Sequence, residues 1–333
     1  MVVTAPQVTE PDQILDRALR PQKLKDYVGQ TAMKRALGIS LAAARQRREP
    51  LGHTLFYGPA GLGKTTIANV IAKEMGAPFR GTSGPALEKA GDLAAVLTTL
   101  PEGGVLFIDE IHRLNRSIEE ILYPAMEDFS LDIIIGKGPA AQTLKLALPP
   151  FTLLAATTKI GGLSSPLRSR FESIFQLGFY SHDELCVILE RSAKMLKVKA
   201  SEAGLRAIAD RSRATPRVAN RLLKRVRDFA LVEADGAIIP ETVSETMKLL
   251  DVDGLGLEKS DRQMLRVMIE QFRGGPVGLG TLAAATAEEP DTIEDVYEPF
   301  LLQQGLIART SRGRMATPRT YKHLGLTPPN TLL

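Results

Sequence analysis

The sequence predicts an α/β domain with a parallel sheet, followed by an all-helical domain and a C-terminal winged helix. Three observations carry this reading. Between residues 18 and 180, apolar runs alternate with helical patterns. The runs at 53–57, 105–108 and 151–156 read as buried parallel strands, and residues 65–75 and 117–129 read as helices that follow Gly- or Pro-containing turns. From 181 to 252 the strands stop, and Leu185, Ile188, Leu189, Met195 and Leu196, then Val218, Leu222, Leu223, Val226, Phe229 and Ala230, recur at helical spacing. In 253–333, three short helical patterns, whose Leu265, Met268, Ile269, Phe272, Leu282, Val296, Phe300 and Leu301 read as core, precede two extended segments around Ser311-Arg-Gly313, as in a winged helix-turn-helix. Residues 1–17 are polar, hold two prolines and lack periodicity, so they read as a loose tail. Asp251-Val-Asp-Gly-Leu-Gly256 reads as a linker.

Composition narrows the function classes. A length of 333 residues exceeds one compact core, and 44% hydrophobic with 24% charged residues describes a globular chain. Trp is absent and aromatics are 5%, which argues against base stacking as the main binding mode. Cys186 is the only cysteine, and His53, His112, His182 and His323 are widely spaced, so neither a disulfide framework nor a zinc site is expected. With no long apolar run and no signal-like N-terminus, a cytoplasmic protein without membrane association is the expectation. Of 42 Lys and Arg, Arg309, Arg312, Arg314, Arg319 and Lys322 lie after residue 300, where no acid occurs. That basic end is the place to expect a polyanion.

Gly58-Pro-Ala-Gly-Leu-Gly-Lys-Thr65 matches the phosphate-loop pattern between a strand and a helix. Glycines let backbone N–H groups turn toward phosphates, and the helix N-terminus adds its dipole. Lys64 would reach the β- and γ-phosphates of ATP, and Thr65 would ligate Mg²⁺. Val105-Leu-Phe-Ile-Asp-Glu110 then delivers Asp109 to a strand end as the second Mg²⁺ holder, and Glu110 as base or orienter of an attacking water.

These motifs occur in order with Ala156-Thr-Thr158, Ser165-Pro-Leu-Arg-Ser-Arg-Phe171 and Thr215-Pro-Arg217. That order resembles AAA+ ATPases. The segments Leu19-Arg-Pro21, Asp26-Tyr-Val-Gly-Gln30, Thr82-Ser-Gly-Pro85, Glu88-Lys-Ala-Gly-Asp92, Tyr123-Pro-Ala-Met-Glu-Asp128 and Gly313-Arg-Met-Ala-Thr317 sharpen the resemblance, from about residue 17 to 329, to the RuvB family of Holliday-junction branch-migration motors.

The resemblance implies that Leu19, Arg20, Tyr27 and Val28 lie on the adenine and ribose side. Gly61, Leu62, Gly63, Lys64, Thr65 and Thr66 would hold the phosphates, and Glu127, Asp128, Phe129 and Tyr180 would add nucleotide contacts. Thr158, or its neighbour Thr157, resembles the first sensor of the γ-phosphate. Arg170 resembles the arginine finger, with Arg168 two residues away, and Arg217 resembles the second sensor. Family sequences often read Arg-Phe-Gly after the finger, whereas this chain has Glu172. The resemblance further implies a hexameric ring on duplex DNA, acting in recombination, repair and the SOS response with RuvA and with the RuvC resolvase.

Leu131, Ile133 and Ile135 and then Leu144, Leu146 and Leu148 alternate around Gly136-Lys-Gly-Pro139, which reads as a hairpin over 131–148 inserted in the ATPase domain. Two uses stand open: an edge hairpin packed on its own domain, or a tip at which Ile133, Ile134 and Ile135 meet RuvA, as the resemblance implies. Arg309, Arg312 and Arg314 flank the winged-helix turn and would bind phosphates without reading sequence. An ATP-switched replication initiator, which also joins such an ATPase to a winged helix, is the competing class; it would read a preferred DNA sequence.

Overall fold

The structure is a computed structural model that describes residues 18–135 and 142–328. The expected N-terminal tail and the turn at 136–139 lie outside the described residues. Two compact units form: one runs through Gly58 and resumes over Gly63–Gly178, and the other comprises Pro59–Leu62 with the chain from Phe179 onward.

The first unit is built on strands β1 (Thr54–Tyr57), β2 (Phe79–Ser83), β3 (Val105–Asp109), β4 (Ser130–Ile135), β5 (Gln142–Ala147), β6 (Thr152–Thr157) and β7 (Ser173–Gln176). Five of them form a parallel sheet in the order β2-β3-β6-β1-β7, and β4 pairs with β5 as an antiparallel hairpin. The three expected strands, β1, β3 and β6, occupy the centre, where both faces are covered and the residues are continuously apolar. The two edge strands carried no such run. β2 reads Phe-Arg-Gly-Thr-Ser and β7 reads Ser-Ile-Phe-Gln, because an edge strand is only half covered. Each edge is still anchored by one aromatic pair: Phe79 stacks on Phe107 at 6.0 Å and Phe175 on Phe56 at 5.9 Å.

Leu93 and Leu97 of the helix Ala90–Thr98 and Ile118, Leu122 and Ala125 of the helix Arg116–Glu127 pack with Leu55, Leu106, Ile108, Leu153 and Ala155 of the sheet. His53 is buried at the entry to β1. Its Nδ1 accepts from Leu153 N at 2.9 Å, and its Nε2 lies 3.1 Å from Met126 O, so both ring nitrogens are used in the neutral form. Burial holds its pKa below the usual histidine value.

In the second unit, helices His182–Met195, Glu202–Ala209, Pro216–Glu233 and Pro240–Leu249 follow one another. Ser181 closes a capping box with Glu184, and Ser201 accepts from Gly204 N. This block is not purely helical: β8 (Lys199–Ala200) pairs in parallel with β9 (Ala237–Ile238), a contact too short to leave a sequence period. The expected linker is a bonded turn. Asp253 Oδ1 accepts from Leu255 N and Leu257 N at 2.9 Å each, and Asp253 Oδ2 lies 2.8 Å from His323 Nε2.

Helices Lys259–Glu270 and Leu279–Thr286 then precede a continuous run of Pro290–Thr292, a π turn over Ile293–Tyr297, and Glu298–Gln303. Leu265, Met268, Leu282, Phe300 and Leu301 are buried as expected, and Ile269 and Phe272 half-buried. Val296, expected in the core, is 52% exposed. The π turn widens the helical period and carries it off the buried stripe. The hairpin of β10 (Ile307–Thr310) and β11 (Gly313–Ala316) follows, and a further helix, Pro318–His323, which the sequence did not suggest, closes the described chain.

A buried ion pair joins the helical block to the winged helix. Arg213 Nη1 and Nη2 donate to the two carboxylate oxygens of fully buried Asp261 at 3.3 and 3.1 Å, and the guanidinium lies 5.0 Å from the Phe300 ring centroid. Glu258 N donates to the same carboxylate at 2.8 Å. Burial pushes the Asp261 carboxyl up, and Arg213 works against that shift. Removing one partner strands the other charge, which costs on the order of 3–5 kcal/mol. Asp261→Ala should therefore lower the unfolding free energy of the full-length protein, read from denaturant unfolding, by that scale; an unchanged value would show the pair to be dispensable.

Candidate nucleotide site and winged helix

The first unit brings together most of the sequence-predicted site. Strands β1, β3 and β6 end level, with Tyr57 opposite Thr157 and Ile108 opposite Ala155. Open α/β sheets bind ligands outside such carboxyl ends. Gly58 continues β1 by donating its N–H to Thr157 O at 3.2 Å; it has φ 141°, and a Cβ there would sit 2.5 Å from Leu177 O. Gly63, at φ 98°, caps the helix Lys64–Met75, and a Cβ on it would lie 2.7 Å from the Tyr27 hydroxyl. These two glycines are therefore required by backbone conformation and by close approach.

Lys64 is buried, with Nζ donating to Gly58 O at 2.7 Å. The next residue, Thr65, donates from Oγ1 to Asp109 Oδ2 at 3.0 Å, while Glu110 N donates to Asp109 Oδ1 at 3.0 Å. A hydroxyl and a carboxylate at this spacing are hard oxygen donors of the kind Mg²⁺ takes. Thr66 is half-buried on the same first turn. Tyr27 and Leu19 are buried, Arg20 and Val28 are half-buried, and the Tyr27 hydroxyl lies 3.5 Å from Gly63 O.

Glu110 follows β3 in a left-handed conformation, φ 49°, that turns its side chain toward the end of β6. Thr158 Oγ1 donates to Glu110 Oε2 at 3.2 Å, and His112 Nδ1 lies 3.2 Å from that same oxygen. Thr157, fully buried, instead meets His112 Nδ1 at 2.9 Å and accepts from Lys159 N at 3.0 Å. The two threonines left open by the sequence are thus distinguished: Thr158 touches the glutamate and Thr157 braces the histidine. His112 was not anticipated, because a lone histidine two residues past Glu110 carries no pattern of its own.

Arg170 ends the short helix Ser165–Ser169 and is held against Glu127, with Nε 3.1 Å from Glu127 Oε1, while Arg168 is exposed. Asp128 pairs with Lys145 at 3.4 Å, and Phe129 packs edge-on against His53 and Phe151. Glu172 lies over Gly52, whose lack of a Cβ makes room for its carboxylate. In the second unit, the buried Tyr180 donates its hydroxyl to Leu62 O at 3.2 Å and its N–H to Ala214 O at 3.0 Å. Arg217 N donates to Gly61 O at 3.4 Å from the first turn of the helix Pro216–Glu233.

Along the inserted hairpin, burial fades with distance from the sheet: Leu131 and Leu148 are in the core, Leu146 is half-buried, and Leu144 is 51% exposed. Ile133, Ile134 and Ile135 fall on β4 opposite Leu144, Thr143 and Gln142.

The winged-helix hairpin requires a correction. Arg309 and Arg312 are exposed, but Arg314 is buried, with Nε donating to Glu298 Oε1 at 2.5 Å. Two bases of the acid-free segment are thus paired from outside it, because the preceding helical run supplies Glu298 to Arg314 and Glu294 to the exposed Arg309 at 3.1 Å. Arg314 is a structural residue, since a guanidinium committed to a buried carboxylate is not offered to phosphate.

The family model described as the Holliday junction DNA helicase RuvB P-loop domain matches residues 19–177. The RuvB AAA lid domain follows at 180–253 and the RuvB C-terminal winged helix domain at 254–325. The chain belongs to the RuvB family. It is 57% identical over 328 residues to a Holliday junction branch migration complex subunit RuvB of Chloroflexus aurantiacus, covering 98% of this chain and 94% of the relative. The corresponding RuvB of Chloroflexus aggregans is 56% identical over the same length and coverage. Among solved structures, the Thermotoga maritima RuvB Holliday junction branch migration motor superposes with a TM-score of 0.86 at 49% identity, covering 93% of this chain and 99% of that one. The RuvB match makes the fold expectation of a P-loop domain, an AAA lid and a winged helix a property of the chain. Among the described residues, no helix is long and apolar enough to cross a membrane.

The corrected roles of the arginines give a direct check. Arg314→Ala should lower the thermal unfolding midpoint, because it strands Glu298, whereas Arg312→Ala should change stability by no more than about 0.5 kcal/mol. Equal melting of the two variants would return Arg314 to the surface set.

Proposed function

We infer that the protein is an ATP-driven motor that moves the branch point of Holliday junctions, working on duplex DNA in recombination and repair. The observation that carries this reading is the RuvB match that runs through all three parts of the chain, from residue 19 to 325. Each of the three matching models is specific to RuvB, so the match favours the motor over a replication initiator.

In this reading the N-terminus of the helix Lys64–Met75 and the loop residues Gly61, Leu62 and Gly63 hold the ATP phosphates, with Lys64 neutralising the β- and γ-oxygens and Thr66 beside them. Thr65 and Asp109 would hold Mg²⁺, which supplies charge neutralisation on the phosphates when bound. Leu19, Arg20, Tyr27 and Val28 form the base and ribose side, and Tyr180 adds a contact. Glu110 accepts a proton from the attacking water or orients it, and the Thr158 hydroxyl at 3.2 Å keeps the carboxylate aimed. Arg170 serves as the finger of a neighbouring subunit's site, with Glu127, Asp128 and Phe129 beside it on that subunit face. Arg217 serves as the second sensor.

The working form is a hexameric ring in the cytoplasm with RuvA as partner, docked through Ile133, Ile134 and Ile135, and RuvC in a larger complex. The exposure of Leu144, the β5 partner of Ile133, supports that docking role. Arg309 and Arg312 make sequence-independent phosphate contacts.

Glu110→Gln should bind ATP and lose at least about a hundredfold in turnover, together with branch migration on a synthetic four-way junction. Normal turnover would remove Glu110 from the chemistry. On DNA, Arg312→Ala should lower the slope of log affinity against log salt by roughly 0.9 and weaken unrelated duplexes equally. A preferred sequence that survives across salt concentrations would instead favour the initiator reading.

A further inference from the structure

The helix Arg116–Glu127 presents Glu119, Tyr123 and Glu127 four residues apart on one face, and all three converge on Arg170 or on its support. The Arg170 guanidinium carbon sits 4.4 Å from the Tyr123 ring centroid, within cation–π range. Its Nη2 donates to Glu127 Oε2 at 3.2 Å and its Nη1 donates to Pro166 O at 2.7 Å. The ring is itself held. The Tyr123 hydroxyl donates to Glu119 Oε2 at 3.4 Å and lies 3.2 Å from Ser164 Oγ, and Glu119 is buried at 5% exposure. Ser164 in turn caps the helix that carries Arg170 by accepting from Leu167 N at 3.3 Å. One aromatic ring therefore ties the base of the arginine's own helix to the face under its guanidinium.

We propose that Tyr123 is a positioning residue for Arg170: its ring is the platform that fixes the guanidinium's plane and reach for transition-state contact with the transferring phosphoryl group. This rests on the reading of Arg170 as a finger acting on a neighbouring subunit. A long arginine side chain has many rotamers, and a finger misplaced by about 1 Å loses on the order of a hundredfold in rate. The planar guanidinium keeps its five donors while it stacks, so the ring restricts it without consuming the groups that meet phosphate. Glu127, which takes the edge of the guanidinium in the described structure, is the contact that phosphate would replace.

The test is steady-state ATPase of the full-length protein with saturating duplex DNA, on Tyr123→Leu, Tyr123→Met and Tyr123→Phe in the wild-type and Arg170→Ala backgrounds. Tyr123→Leu and Tyr123→Met should each lower kcat about tenfold, with the KM for ATP within about twofold, and Tyr123→Phe should recover to within about threefold of wild type. In the Arg170→Ala background, Tyr123→Leu should change the rate by less than about twofold, because the side chain it supports is gone. An equal loss in both backgrounds overturns the proposal and leaves Tyr123 a packing residue. Methionine refills the ring's space without a π face, so its result stands even if the leucine variant unfolds.

Mixed rings separate the proposal from the reading beneath it. Lys64→Ala subunits should restore turnover to Arg170→Ala subunits, and Lys64→Ala/Tyr123→Leu subunits should restore only about a tenth as much. Failure of the first mixture, with mixed rings formed, overturns the finger reading. Equal rescue by both keeps the finger and overturns the role of Tyr123.

Discussion

The Thr65–Asp109 hydrogen bond, 3.0 Å between a residue of the phosphate-loop helix and the last residue of β3, is the contact around which the rest of the first unit is arranged. It requires β1 and β3 to end level although β6 lies between them. The parallel register sets that level, and the continuous burial of β1, β3 and β6 holds it, since a slip of one residue would reverse every side chain's face. From that contact the site extends sideways: Asp109 orders the Glu110 backbone, and Glu110 is shared by Thr158 and His112.

The Glu110 carboxylate shows how such a site is tuned. Its left-handed backbone is a sparsely populated conformation for a residue with a side chain, and it persists because two neighbours hold the carboxylate. His112 is in turn held by the fully buried Thr157. The glutamate is therefore connected to the end of β6 by the hydroxyl of Thr158 directly and by that of Thr157 through His112.

In the second unit a buried ion pair links two separately packed blocks. The Arg213–Asp261 pair binds the helical block to the winged helix, and the Asp253–His323 contact ties the connecting stretch to it, so 251–256 is a structured joint. Arg213 and Ala214, both at positive φ, immediately precede the cap of the helix that carries Arg217. Within this unit the candidate second sensor and the winged helix therefore share one short, conformationally fixed loop.

The central strands, the phosphate loop, Asp109, Glu110 and the division into P-loop, lid and winged-helix parts were legible in the sequence. Each is encoded locally, by a run of apolar residues, a glycine spacing or a helical period. What the sequence could not yield depends on residues distant in the chain. The edge strands β2 and β7 were hidden because half-covered strands carry no apolar run. Val296 left the core because a π turn broke the period that had placed it there. Arg314 looked like its neighbours Arg309 and Arg312, and only the fold could reveal Glu298 beside it, since charge counted along a segment omits the acids that tertiary packing brings from another. Which of Thr157 and Thr158 touches Glu110 was likewise tertiary: Thr157 ends β6 with its side chain buried, Thr158 follows the strand, and only the folded chain brings the Thr158 hydroxyl to a carboxylate 48 residues earlier.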